Sequence, residues 1–359
     1  MNKFAKEKFQ SLCSRLAASY GVQDVSADMF DVSVPMAIRL ISEIQQSNAF
    51  FQRVSSIPVT DIKGEIIMLM APSSIAGRTD TDTKDRVPQV VGDMTGRTYE
   101  CKKTDYDVAL KYATLDAFAR FSDCDKRILN LVYARMALDL LTIGWYGESA
   151  AKDTNRTTYP LLQDVNCGWL HDLKTNKAAN FIKASEGAKI KLGKGGDWKN
   201  LDHAAYDLLS LIPVEHRTGR ETVLVGREVV AWECGKMFET HGGTPTEKSQ
   251  FAVMTKTYGG MPATTPACFP DKGIMVVDPA NLQYYFQNSS IRRQMKDNPK
   301  RDRIEHYQSV NDCFRIGDLD AAAAVNYADI EFIDEPASVP GSSAENPLFT
   351  KTVTDTAGE

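Results

Sequence analysis

Residues 3–20 place Phe9, Leu12, Cys13, Leu16 and Tyr20 at i, i+3, i+4, i+7 and i+11, a single stripe of an α-helix, with Lys3, Lys6, Lys8 and Arg15 on the remainder. The spacing predicts a basic amphipathic helix. Residues 21–31 break the pattern. Pro35 then opens a second helical stretch in which Ala37, Ile41 and Ile44 recur at helical spacing, proline being tolerated in a first turn. From 57 to 70 the texture is β, with Ile57, Val59 and Ile66–Leu69 around a turn expected near Lys63-Gly64. Residues 71–103 are rich in Thr, Asp, Gly, Lys and Arg and poor in large apolar side chains, which predicts a long excursion away from the core. Tyr106, Val108, Leu110 and Tyr112 alternate with polar positions as a half-buried strand does, so the excursion reads as a two-stranded arm.

A long helix follows. Ser122-x-x-Asp125 has the form of a capping box, and Ile128, Leu129, Val132, Met136, Leu140 and Ile143 carry the apolar face until Gly144 and Gly147, a length of roughly 30 Å at 1.5 Å per residue. Beyond it the segments are shorter and mixed: a helix over about 200–211, a buried strand at 223–225, a helix near 228–238 and a strand at 274–277. From 282 to 333 β returns, with Ala328, Ile330 and Phe332 expected on one face and Asp329 and Glu331 on the other. The segment from Asp334 onward is a Pro-, Ser- and Thr-rich tail whose acids face only Lys351, too polar to bury itself.

Composition narrows the function. The chain has 359 residues, 43% hydrophobic and 25% charged, with a formal net charge of −5, which argues against a surface that coats nucleic acid throughout. One local exception stands out: Arg292, Arg293, Lys296, Lys300, Arg301 and Arg303 face only Asp297 and Asp302, a candidate contact for phosphate or for an acidic neighbouring subunit. No aromatic residues are interleaved, which disfavours reading of bases. The seven cysteines include no C-x-x-C pair and read as reduced thiols, and the five histidines stand singly, with no metal-ligand spacing. No G-x-S-x-G elbow occurs; Cys167 and His171 lie four apart without a third orienting group. Gly193-Lys194-Gly195-Gly196-Asp197 lacks the Walker ending and reads as a loop before a helix capped by Asp197 or Asn200. The amino terminus shows no signal-peptide pattern, and the most apolar run, Ile128 to Trp145, carries Arg135 and Asp139, so no membrane span is expected.

The order of parts, with Ile57-Pro58-Val59, Lys63-Gly64-Glu65, Ser74-Ile75-Ala76, Thr79-Asp80-Thr81, Tyr99-Glu100-Cys101, Thr114-Leu115-Asp116, Ala119-Arg120, Leu162-Gln163-Asp164-Val165, Gly168-Trp169-Leu170, Gly193 to Asp197, Asn298-Pro299-Lys300 and Asp302-Arg303, resembles the P2-like family of tailed-phage major capsid proteins over about residues 4 to 335. The resemblance implies an α+β chain with the Hong Kong 97 capsid fold. Its parts would be an amino-terminal arm (1–56), an extended loop with its base strands (57–112), the spine helix of a peripheral domain (113–158), an axial domain (159–272), a peripheral β segment (273–335) and a flexible acidic tail (336–359). It implies self-assembly into pentamers and hexamers of an icosahedral shell around double-stranded DNA, bound without sequence specificity. The partners would be a phage scaffold and protease, a portal and a decoration protein; no cofactor, metal or membrane would be involved. The protein would be assembled in the bacterial host cytoplasm and end in the virion.

In such a protein about the first 30 residues would be removed by cleavage near Phe30-Asp31, after Phe9, Leu12 and Leu16 had docked on the scaffold. The loop residues Arg78, Asp80, Asp82, Lys84 and Arg86 would contact neighbouring subunits. The alternative from a different class is a cytosolic phosphate- or nucleotide-binding enzyme using the Gly193–Asp197 loop.

Overall fold

A computed structural model of the chain describes residues 3–66, 76, 78–87, 96–118, 121, 123–241 and 257–333. The acidic tail, Ser122 and most of the 235–261 stretch lie outside the described residues. Seven helices are described: α1 (Lys3–Tyr20), α2 (Val34–Gln46), α3 (Tyr112–Phe118), α4 (Cys124–Tyr146), α5 (Trp169–Asn176), α6 (Leu201–Ser210) and α7 (Arg227–His241). The two amino-terminal helices fall where their stripes place them, and α2 buries Ala37, Leu40, Ile41 and Ile44 behind a first turn that holds Pro35.

The organising element is the strand Arg303–Ile316. Along one edge it pairs antiparallel with Arg292–Asn298 and then with Leu282–Gln287; along the other it pairs with Val108–Lys111 and Lys102–Asp105. Ser55–Val59 extends the sheet beside Leu282–Gln287, and Phe30–Asp31 beside Arg292–Asn298. Period-two alternation turns Tyr284, Phe286, Val310, Phe314 and Ile316 to the helix side, where they join Leu40, Ile44, Met136, Leu140, Leu141 and Trp145 in the largest core. Thus α4 lies over this sheet beside α2 and α5.

A second sheet of six strands includes Thr222–Val225, Ile274–Val277 and Ala322–Val325. These three strands are buried at every position because both faces are covered. Leu224, Met275, Val277, Ala322 and Ala324 face the first core, while Val223, Val225, Ile274, Val276 and Ala323 face a second one built on α6 and Trp198. Strands at 274–277 and 322–325 therefore belong to the second sheet, although the resemblance groups both in one peripheral β segment, 273–335.

Four local expectations differ from the structure. Lys63-Gly64 lie inside the strand Lys63–Glu65, and the turn falls at 60–62. The alternating run 106–112 is not one strand: it breaks at Tyr106-Asp107, where the Tyr106 N–H donates to the Gln308 carbonyl and the Asp107 carboxylate accepts from the Gln308 N–H, and Tyr112 opens α3. Gly144 does not end α4; the helix continues to Tyr146, and glycine is required at 144 because a Cβ there would overlap the Trp169 ring. Ala328 is exposed in a 3-10 turn (Tyr327–Asp329), because the Asp329 carboxylate accepts from the Ala184 N–H and the Asn326 amide.

Candidate assembly surfaces

The excursion divides into a bolted root and an outlying tip. At the root, Lys63–Glu65 pairs antiparallel with Thr98–Glu100, and the Tyr99 ring stacks on Tyr285 at 4.9 Å, packed so closely over Gly64 that no Cβ fits there. Arg97 donates to the carbonyls of Ile316 and Gly317 and to the carboxylate of Asp172 at 2.7 Å. Asp172 is fully buried on α5, yet four donors satisfy it: Arg97, Arg315 at 2.8 Å, the Ile316 N–H and the Asn176 amide. Residues 96–103 are thus part of the subunit body. At the tip, 78–87 are all exposed, and Asp80 closes a turn by accepting from the Asp82 N–H at 3.1 Å and from the Thr83 hydroxyl. The described hydrogen bonds of Asp80, Asp82 and Lys84 stay within this turn, and Arg78 and Arg86 are exposed on either side of it.

The six cations do not lie together as one exposed cluster. Arg292–Asn298 and Arg303–Ile316 form a hairpin through the 3-10 turn Pro299–Arg301, and strand alternation divides the side chains. Arg293 turns inward, 2% exposed, with its guanidinium on His306 Nε2 at 3.0 Å and on the Tyr20 hydroxyl. Burial, with the Arg293 charge beside it, holds the His306 imidazole down to about 3, so it accepts as a neutral ring. Arg292 ion-pairs with Asp31 at 3.0 Å, and Arg303 with Glu305 at 2.6 Å. Lys296, Lys300 and Arg301 are the exposed remainder near the hairpin tip.

The amino-terminal face expected to dock on a partner is seated on its own subunit. Leu12 is 6% exposed and packs with Leu115, Ile128, Met295 and Ile304, with Phe9 and Leu16 half-buried beside it. The expected cut at Phe30-Asp31 also falls in paired backbone, opposite Arg293 and Arg292, and Val25 is buried where its carbonyl accepts from the Met295 N–H. The segment 21–31 is therefore laid along the sheet rather than hanging from it.

The phosphate-cradle alternative meets a direct obstacle. The Gly193 N–H donates to the Trp198 carbonyl and the Gly196 N–H to the Gly193 carbonyl, while Asp197 accepts from the Lys191 N–H, so the loop closes on itself. The start of α6 is capped by Asn200, which accepts from the His203 N–H at 2.9 Å. Cys167 turns to the Glu148 carbonyl and His171 to Thr175, not to each other. Among the described residues no group of three metal-ligating side chains occurs.

Sequence reasoning missed the buried acids. Besides Asp172, Asp312 is fully buried in the central strand, accepting from Thr104 at 2.8 Å, Tyr106 at 2.9 Å and the Asn166 amide at 3.1 Å. Burial pushes its carboxyl up to about 6 against the pull of these hydrogen bonds. The only sequence signal is an acid among the alternate apolar positions Val310, Phe314 and Ile316.

Comparison with known proteins gives one consistent result. The family profile described as phage major capsid protein, P2 family, matches residues 8–328. Capsid proteins of Escherichia phage P2 are 30% identical over 353 residues, covering 94% of this chain and 98% of that protein. The major capsid protein of Serratia phage KSP20 is 28% identical over 345 residues, covering 93% and 97%. Among solved structures, a satellite phage P4 procapsid that includes a size determination protein superposes with a TM-score of 0.68 at 30% identity, covering 82% of this chain and 99% of that one.

Proposed function

The chain belongs to the P2 family of phage major capsid proteins, and on that premise we propose how its surfaces build a shell. It is a structural protein of the virion and not an enzyme; it has the Hong Kong 97 capsid fold, and its copies self-assemble into the capsomers of a shell. In the proposal these capsomers are pentamers and hexamers of an icosahedral head, assembled in the bacterial cytoplasm and filled with double-stranded DNA. The first sheet with α4 serves as the peripheral domain, and about 159–272 with the strands that complete the second sheet serves as the axial one.

The observation that carries this reading is the contrast within the excursion. A root held by Arg97, Tyr99 and two strand pairings presents a tip, 78–87, whose charges all face outward. An exposed charged turn adds nothing to its own subunit's core, so its use lies in a neighbouring copy. Lys296, Lys300 and Arg301 supply a second charged surface, for packaged DNA or an acidic neighbour. Replacing 78–87 by a short Gly-Ser linker should leave the unfolding midpoint of the unassembled subunit unchanged while electron micrographs show no closed shells. Closed shells of normal size from this variant would refute the assignment.

The proposal keeps an assembly role for the amino-terminal segment, with a scaffold and protease as partners; a portal and a decoration protein complete the set. Removal at Phe30-Asp31 would require the segment to peel from Arg292–Asn298, and docking through Phe9, Leu12 and Leu16 would require α1 to leave Met295 and Ile304. Intact mass of chains from mature particles tests this, and chains that begin at Met1 would sink the processing step without touching the shell.

A further inference from the structure

Two thiols meet at the joint where the excursion leaves the body. The antiparallel register between Arg303–Ile316 and Lys102–Asp105 runs from Ser309 opposite Asp105 to Asp312 opposite Lys102; one step further sets Cys313 opposite Cys101. Both are buried, on the sheet face away from the helices, in a small cluster with Ile66, Tyr99 and Tyr285. They pack in the same cluster, and the neighbouring Cys101 thiol together with burial pushes the Cys313 thiol above its ordinary range. Directly opposed residues of an antiparallel pair have Cα atoms about 4.5–5.5 Å apart, inside the span a disulfide bridges.

We propose that Cys101 and Cys313 are an oxidisable pair that a peroxide converts into a disulfide, bolting the root of the excursion to the central strand. In the first step the Cys101 sulfur attacks one peroxide oxygen, the O–O bond breaks, and the thiol proton leaves with the departing hydroxide as water, giving a sulfenic acid. In the second the Cys313 sulfur displaces the sulfenic oxygen, forming the S–S bond, and its proton leaves with that oxygen as a second water. Two thiols are oxidised and one peroxide is reduced. Both groups stay reduced in a thiol-rich cytoplasm and meet oxidant once a particle is released. The other described cysteines, Cys13, Cys167, Cys234 and Cys268, give the natural internal control, since Cys268 is exposed and belongs to no such pair.

The test uses the full-length chain, unassembled and in shells, treated with hydrogen peroxide, then unfolded in iodoacetamide and digested. The expected result is a linked peptide joining Cys101 to Cys313, an intact mass lower by about 2 Da for the two hydrogens lost, and a urea midpoint that rises on oxidation and returns with dithiothreitol. Cys268→Ser should keep all three effects, and Cys101→Ser should lose them. Recovery of Cys101 and Cys313 as separately alkylated thiols would overturn the proposal, as would separate sulfinic acids or preferential linkage to a different cysteine. The wild-type peptide map decides the question even if Cys101→Ser fails to fold.

Discussion

Replacing Asp172 by alanine should be among the most damaging single changes in this subunit. Its carboxylate has no solvent exposure and receives four hydrogen bonds, two from guanidinium groups whose side chains are only 18% and 23% exposed. Deleting it leaves Arg97 and Arg315 partly desolvated with no counter-charge and strands the Ile316 N–H. Breaking a buried pair from one side costs about 3–5 kcal/mol, well above the ~1 kcal/mol of an ordinary neutral hydrogen bond. Arg97→Ala should cost less, about 1.5–3 kcal/mol, because Asp172 keeps three donors. The two changes should be non-additive, since each removes the same contact. Urea unfolding of unassembled subunits, extrapolated linearly, gives both values and their coupling. Hydrogen exchange adds a local readout: Arg97→Ala should speed exchange at 98–101 while leaving α4 protected. A loss below about 1 kcal/mol for Asp172→Ala, or strict additivity with Arg97→Ala, would show that this network does not hold the root.

Three further outcomes are expected. As pH falls from 6.5 toward 4 the unfolded chain takes up a proton that buried His306, held down to about 3, refuses, while buried Asp312, held up to about 6, works in the opposite direction; the wild type should therefore lose about 3 kcal/mol relative to His306→Gln across that window in a pH series of urea midpoints, and parallel curves would refute the assignment. Gly144→Ala should destabilise by about 1–3 kcal/mol in thermal melts despite alanine's better helix propensity, because the Trp169 ring occupies the Cβ position; a stabilised variant would mean the ring can shift. Leu12→Asp should undock α1 from Met295 and Ile304 and speed limited proteolysis in 21–31, and unchanged cleavage would show that the helix is not held there.

What the sequence revealed depended on how far a residue's partners lay along the chain. The stripes of α1, α2 and α6 and the apolar run of α4 are local, so period alone located them. The strands at 223–225 and 274–277 were legible as continuous apolar runs, but their sheet was not, because pairing joins segments about fifty residues apart. The run from Tyr106 to Tyr112 misled because alternation persists through a break made by Gln308, some two hundred residues away. The basic segment shows the opposite failure: the alternation that buries Arg293 and Met295 and exposes Arg292 and Lys296 was there to be read, but counting charge overrode it. Asp172 and Asp312 gave no local sign of their partners, which lie between 28 and 208 positions away apart from Asn176.

The way the first sheet ends has a consequence for a chain that must be crowded against many copies of itself. An open sheet margin carries unpaired N–H and C=O groups that can template a strand from a neighbour, and the hazard grows with local concentration. Here the central strand Arg303–Ile316 is paired along both sides and offers no such margin. On one outer side lie the two-residue strand Phe30–Asp31 and the short Ser55–Val59, where Pro58 removes a donor. On the other, the border is broken at Tyr106-Asp107 and studded with Lys102, Lys103 and Lys111. Among the described residues neither border is a straight run able to accept a foreign strand, so copies brought together at high density are steered away from amyloid-like stacking and toward contacts made by side chains.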